Sequence, residues 1–178
     1  NKKIVWITGA SSGIGKELSY KFAQKGWKIV LTARRKDKLE KINKQTGNQN
    51  IVCQADVTVK SDIKKAFKIL EKEDENIDLA ILNAGVYSSV SINDFDSNVF
   101  QKHMEINYMG VINSLEQIIP KMISQKSGHI AIITSPTGWR GLPKAAAYGP
   151  TKSALKNLAE SLRFELDAYG IKVQLFCP

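Results

Sequence analysis

At 178 residues the chain is long enough to bury a substantial core, and its length fits a single domain spanning 1–178. A hydrophobic fraction of 43% with both signs of charge excludes the disordered and fibrous classes. Many of the lysines behind the formal charge of +9 alternate with acids, as in KDKLEKINK, so the charge reads as a solvated helix surface and not as a nucleic-acid footprint.

The first apolar run, KKIVWIT at 2–8, reads as a strand. It leads through Thr8-Gly9-Ala10-Ser11-Ser12-Gly13-Ile14-Gly15 into a helical pattern over 14–25. In that position Gly9 permits a sharp turn, Gly13 a close approach of backbone to a phosphate, and Gly15 close packing of helix on strand. The free N–H groups of Ser11, Ser12, Gly13 and Ile14 at the helix start suit a pyrophosphate, the alternative being a tight turn with a structural role only.

A second strand, WKIVLTA at 27–33, is followed by Arg34 and Arg35 and a weaker helix at 36–46. NIVCQA at 50–55 is the third strand, leading to Asp56 and Val57 and a helix at 60–75. The fourth, IDLAIL at 77–82, opens the longest irregular connection, 83–97, which begins Asn83-Ala84-Gly85. Ligand loops sit at such carboxyl ends of strands.

The periodic stretch 98–126, which contains Gly110 and Pro120, predicts one long helix with a disturbed last turn and an aliphatic outer face that suits self-association. HIAIIT at 129–134 ends at Ser135, and IKVQLF at 171–176 is the sixth strand. Between them lies an amphipathic helix over 150–169, and Tyr148 and Lys152, four residues apart, put a phenol and an ammonium on one helix face. Near-continuous apolarity in the strands is what parallel strands covered on both faces require, so the alternation predicts a doubly wound α/β sheet of three layers.

Cys53 and Cys177 lack a CxxC partner and read as buried or half-buried thiols in a reducing compartment. Neither His103 nor His129 has a metal-ligand neighbour, so no metal is expected. No run approaches the ~20 apolar residues of a membrane span, and NKKIVWITG is too short and strand-like for a signal peptide, which makes the cytoplasm the expected location.

The G-x-x-x-G-x-G spacing, together with Asn83-Ala84-Gly85, Asn107, Ser135 and the Tyr148-x-x-x-Lys152 pair, resembles the short-chain dehydrogenase/reductase family over essentially the whole chain. The tyrosine and lysine follow the serine by 13 and 17 residues, as the family pattern expects. The resemblance implies a Rossmann-type sheet of order 3-2-1-4-5-6, a nicotinamide cofactor, and hydride transfer to or from a carbonyl or secondary alcohol. It implies that Ser135 binds the substrate oxygen, that Tyr148 is the general acid/base, that Lys152 lowers the tyrosine pKa and holds the nicotinamide ribose, and that Asn107 orders a water leading to Lys152. Asp56, with Val57 beside it, matches the adenine-side position, and Asn83, Ala84 and Gly85 match a structural, cofactor-side segment.

An NAD enzyme carries an acid at the end of the second strand, where this chain has Ala33 followed by Arg34 and Arg35. Arginine suits a 2'-phosphate, so NADP(H) is expected, with Arg34 the first contact and Ser11 and Arg35 the next. Tyr87 and Trp139 are candidates for the substrate side, although Trp139 could equally cover a core edge.

Two features depart from the family pattern: Leu82 replaces a usual asparagine, and the sequence stops at Pro178 where a substrate-covering helical segment and a last strand should follow. With Asn1 in place of a methionine, part of a longer protein is expected, forming a homodimer or homotetramer through the 98–126 and 150–169 helices. The competing expectation is a dinucleotide-binding regulatory or scaffold protein of the same fold without turnover.

Overall fold

The computed structural model describes residues 2–72 and 76–178, excluding the side chain of residue 72. Among the described residues six strands form one parallel sheet: β1 (Ile4–Thr8), β2 (Lys28–Ala33), β3 (Ile51–Gln54), β4 (Leu79–Leu82), β5 (Gly128–Ile133) and β6 (Ile171–Phe176). Their order is β3-β2-β1-β4-β5-β6, as the family resemblance implied. Thr8 pairs with Thr32, Leu82 with Ile132 and Ile133 with Phe176, which aligns the carboxyl ends along one rim.

Successive side chains of a strand point to opposite faces, and both faces are covered here. Ile4 and Trp6 of β1 join a core with Phe67 and Leu70 of α3 (Lys60–Lys72), Leu115, Ile118 and Met122 of α5 (Gly110–Gln125), and Leu155 and Leu166 of α6 (Gly149–Leu166). Val5 and Ile7 join a second core with Leu18 and Phe22 of α1 (Gly13–Gln24) and Leu39 and Ile42 of α2 (Lys36–Gln45). The result is three layers. Buried Trp6 is satisfied by donating from Nε1 to Thr32 Oγ1 at 2.8 Å. The helix expected over 60–75 is described as far as Lys72, and its last three positions lie outside the described residues.

The long helix expected over 98–126 is divided differently. It consists of α4 (Ser97–Met104), a π turn (Glu105–Met109) and α5, and α5 runs through Pro120 without a break. Pro120 and Glu116, whose carbonyl the missing N–H would have engaged, are both exposed, so water can satisfy that group. Its aliphatic face is also less open than expected, since Ile119 and Ile123 pack half-buried against the core. Apolar exposure on these helices is instead at Met104, Met109 and, on α6, Phe164.

Cys53 is buried, and burial pushes its thiol up to about 11, whereas Cys177 is exposed and not half-buried as expected. Among the described residues no helix is long and apolar enough to cross a membrane, and no group of side chains could hold a metal ion.

Candidate active site

A cleft of about 380 Å³ opens over the carboxyl ends of β1, β2, β4 and β5, where the strand order reverses between β1 and β4. Gly9 leaves β1 in the left-handed region at φ +68°, and a Cβ there would stand 2.9 Å from Ala84 Cα. A Cβ on Gly15 would lie 2.4 Å from the Gly9 carbonyl oxygen, so Gly15 serves the turn by packing and does not line the cleft. Gly13, also left-handed at φ +53°, faces open space. Ser12 precedes α1 without capping it through its side chain, and no acid stands in the first turn. The positive end of α1 is therefore open to an anion at the wall formed by Ser11, Ser12, Gly13 and Ile14.

The segment after β4 is tied to this turn. Asn83 Nδ2 donates to the Thr8 carbonyl at 3.1 Å, while the N–H groups of Asn83 and Ala84 both donate to Thr8 Oγ1, at 3.0 and 3.1 Å. Asn83, Ala84 and Gly85 line the cleft from the other side. Thr8 is thus a brace that the sequence pattern did not single out.

Beyond β2, Arg35 Nη2 donates to Ser11 Oγ at 3.0 Å and to Ser12 Oγ at 2.8 Å, arching over the glycine turn. Arg34 lies 3.9 Å from Asp56 Oδ2. Both arginines line the cleft, and Arg35 is the one that meets Ser11. Asp56 Oδ1 is occupied by Thr58, through its N–H at 2.9 Å and hydroxyl at 2.8 Å. Val57 lines the cleft and is fixed by Asn113, whose Nδ2 donates to its carbonyl at 2.8 Å.

At the other end of the cleft stand Tyr148, immediately before α6, and Lys152, in its first turn. Lys152 is buried, 4% exposed, and its Nζ donates to the Ile133 carbonyl at 2.9 Å and lies 5.5 Å from the centre of the Tyr148 ring. Desolvation lowers its pKa from the ordinary 10.5 to about 8. Tyr148 departs from expectation. Burial raises its pKa, the hydrogen bond with Ser135 opposes this, and the negative forms of Cys177 and Tyr87 add to the rise. Removal of the phenol from water outweighs any acidifying effect of the neighbouring ammonium.

Ser135, just past β5, accepts from the Thr137 N–H at 3.4 Å and from Thr137 Oγ1 at 3.1 Å. Its own proton is the one left for the hydrogen bond with Tyr148. Asn107 lies in the π turn, fully buried, where Oδ1 accepts from Val86 N–H at 2.8 Å. Its two amide protons go to the Val86 carbonyl at 2.9 Å and to Thr151 Oγ1 at 3.2 Å. The side chain is committed to the β4 loop and to Thr151. Thr151 Oγ1 in turn donates to the Tyr148 carbonyl at 2.7 Å, a link that only its position before Lys152 could have suggested.

Tyr87 stands with its ring centre 5.2 Å from that of Tyr148, edge to face at 84°. Trp139 is 53% exposed, with Lys156 Nζ 5.9 Å from its ring centre. His103 is buried, and burial lowers the pKa of His129.

A family model described as short chain dehydrogenase matches residues 3–178. An uncharacterized oxidoreductase of Listeria monocytogenes is 38% identical over 175 residues, covering 97% of this chain and 71% of that protein. Among solved structures, a short-chain dehydrogenase from Streptomyces avermitilis superposes with a TM-score of 0.95 at 26% identity, over 100% of this chain and 65% of that one. Two further structures are nucleotide complexes. A 3-ketoacyl-(acyl-carrier-protein) reductase from Brucella melitensis, complexed with NADH, has a TM-score of 0.94 at 25% identity, covering 99% of this chain and 74% of its own. ElxO with NADP bound has a TM-score of 0.94 at 27% identity, covering 100% of this chain and 73% of its own.

Proposed function

Because the chain belongs to the short-chain dehydrogenase/reductase family, we propose that it transfers hydride between NADP(H) and the carbonyl or secondary alcohol of a small molecule, with Tyr148 as general acid/base. The observation that carries this reading is a single cleft with the open N-terminus of α1 at one end and Tyr148 and Lys152 at the other.

A nicotinamide dinucleotide fits the residues of this cleft. The uncapped turn at Ser11, Ser12 and Gly13 suits the pyrophosphate, and the absence of an acid at Ala33 removes the usual partner of an unphosphorylated ribose. Arg35, held with Ser11 at the same rim, offers a planar fork to a 2'-phosphate, with Arg34 as the second cation. The Asp56–Val57 wall is the adenine side.

When bound, the nicotinamide supplies or accepts the hydride. The phenol of Tyr148 protonates the oxygen of a carbonyl as it becomes an alkoxide, and its raised pKa keeps it in the acid form at neutral pH. Ser135, whose oxygen already accepts from Thr137, turns its one proton from Tyr148 to the same substrate oxygen when substrate is bound. Lys152 has one ammonium proton on Ile133 and two left for the nicotinamide ribose. Asn107 and Thr151 hold the Tyr148 backbone and the Val86 loop in place.

Free Cys53 and Cys177 are compatible with a reducing cytoplasmic setting. Exposed Phe164 on α6, 83% open, supports self-association as a homodimer or homotetramer through the α4–α5 and α6 helices.

The test is titration of NADPH and NADH against the purified protein and its Arg35→Ala and Arg34→Ala variants, followed by NADPH consumption on a carbonyl panel. Arg35→Ala should weaken NADPH by about 10- to 100-fold and NADH little, with a smaller effect from Arg34→Ala. Equal losses for both nucleotides would refute the phosphate contact, and no nucleotide binding at all would refute the enzyme.

A further inference from the structure

The backbone on both sides of Tyr87 is held by the same helical stretch. Asn107 takes both backbone groups of Val86, at 2.8 and 2.9 Å. Four residues earlier, buried His103 takes Ser88: the Ser88 N–H donates to Nε2 at 3.1 Å, and Ser88 Oγ lies 3.3 Å from the same nitrogen. The other ring nitrogen, Nδ1, is 2.7 Å from the Val99 carbonyl. A carbonyl only accepts and a backbone N–H only donates, so these two partners require a neutral ring with its proton on Nδ1 and its lone pair on Nε2.

Tyr87, between these two anchors, is 60% exposed and contributes little to any core. Yet its ring is set edge to face against Tyr148 at 5.2 Å, a favoured aromatic geometry. Core packing does not explain a mostly open aromatic ring whose neighbours are clamped by a fully buried amide and a buried imidazole. Aiming that ring at the reacting phenol does.

We infer that His103 is a positioning residue for the reaction centre: by accepting from Ser88 it completes, with Asn107, a two-point clamp that holds Tyr87 against Tyr148 as one wall of the carbonyl-binding space. This rests on Tyr148 being the acid/base group proposed above. Without the acceptor on Nε2, Ser88 is released, Tyr87 swings away from Tyr148, and the substrate loses a wall while the far end of the same cleft, at Ser11, Ser12, Gly13 and Arg35, keeps its shape.

The experiment uses protein carrying 13C-labelled tyrosine, with the Tyr148 ring signals identified by their loss in Tyr148→Phe. His103→Leu should move the Tyr148 signals toward those of an unstacked tyrosine. It should also raise the carbonyl KM about 10-fold, the loss of one hydrogen bond, with NADPH affinity changed less than about threefold. His103→Gln, which restores an acceptor near the Nε2 position, should keep the native signals and KM. Ser88→Pro removes the donor from the loop side without touching the buried histidine and should reproduce the His103→Leu shift, which guards against a variant that fails to fold. Native Tyr148 signals in a folded His103→Leu or Ser88→Pro protein would overturn the inference, as would failure of His103→Gln to rescue. Absence of carbonyl turnover in the unaltered protein would overturn the reaction reading alone, and the ring signals would still judge the clamp.

Discussion

Replacing Lys152 by methionine removes a buried cation, so the protein should become more stable as it loses activity. The fall of the Lys152 pKa from 10.5 to about 8 is caused by desolvation, and it corresponds to about 3 kcal/mol spent holding the charge in the folded state at neutral pH. Methionine keeps similar bulk but leaves the Ile133 carbonyl, now 2.9 Å from Nζ, without that donor, which costs about 1–2 kcal/mol. The net expectation at pH 7 is a gain of about 1–2 kcal/mol, or roughly 3–6 °C in Tm for a chain of this size.

The pH dependence gives the sharper test. In the unfolded chain the lysine keeps its proton up to its ordinary 10.5, whereas in the folded protein it releases it near 8. Between those values the unfolded state binds more protons, so the stability of the unaltered protein climbs with pH through that window. Lys152→Met lacks this climb. Urea unfolding at pH 7 and pH 10 should therefore show the advantage of the variant shrinking or reversing. An unchanged difference between the two pH values would refute the claim that Lys152 is held charged against desolvation.

Tyr148→Phe should lower turnover by at least about 100-fold while leaving NADPH affinity within about threefold, because the phenol oxygen handles the proton and the ring is retained; retained turnover would remove Tyr148 from the acid/base role. Gly15→Ala and Gly13→Ala should separate packing from ligand access. The first places a Cβ 2.4 Å from the Gly9 carbonyl oxygen, and should cost about 3 kcal/mol or more in urea unfolding. The second meets no atom within 4 Å, and should cost only about 1–2 kcal/mol for its left-handed backbone while still weakening nucleotide binding. Equal stability losses would contradict the distinct roles of the two glycines.

Much of the architecture was legible because it rests on local regularities. Apolar runs such as IVWIT of β1 mark strands buried on both faces, and the helical periods between them force parallel crossovers. Gly9, Gly13 and Gly15 were readable because a left-handed turn and a close backbone approach each exclude a side chain. Tyr148 and Lys152 were readable because four residues is one helical step.

Long-range contacts set what the residue order left open. Whether Arg34 or Arg35 faces Ser11 depends on how β2 meets the glycine turn across the sheet, and the structure gives that contact to Arg35. The disturbance in the 98–126 stretch belongs to the π turn around Asn107, whose amide is drawn to Val86, not to Pro120, whose unpaired neighbour faces solvent. The pKa of Tyr148 follows burial produced by the assembled cleft, which overrides the expectation from the lysine four residues along. Residue order by itself determined the strands and helices, the glycine turn and the placing of Tyr148 and Lys152 one helical step apart, since each follows from spacing along one strand or helix. Tertiary structure alone decided which way those groups face, how deeply they are desolvated and what clamps the loop over them, since these depend on residues brought together from distant parts of the chain.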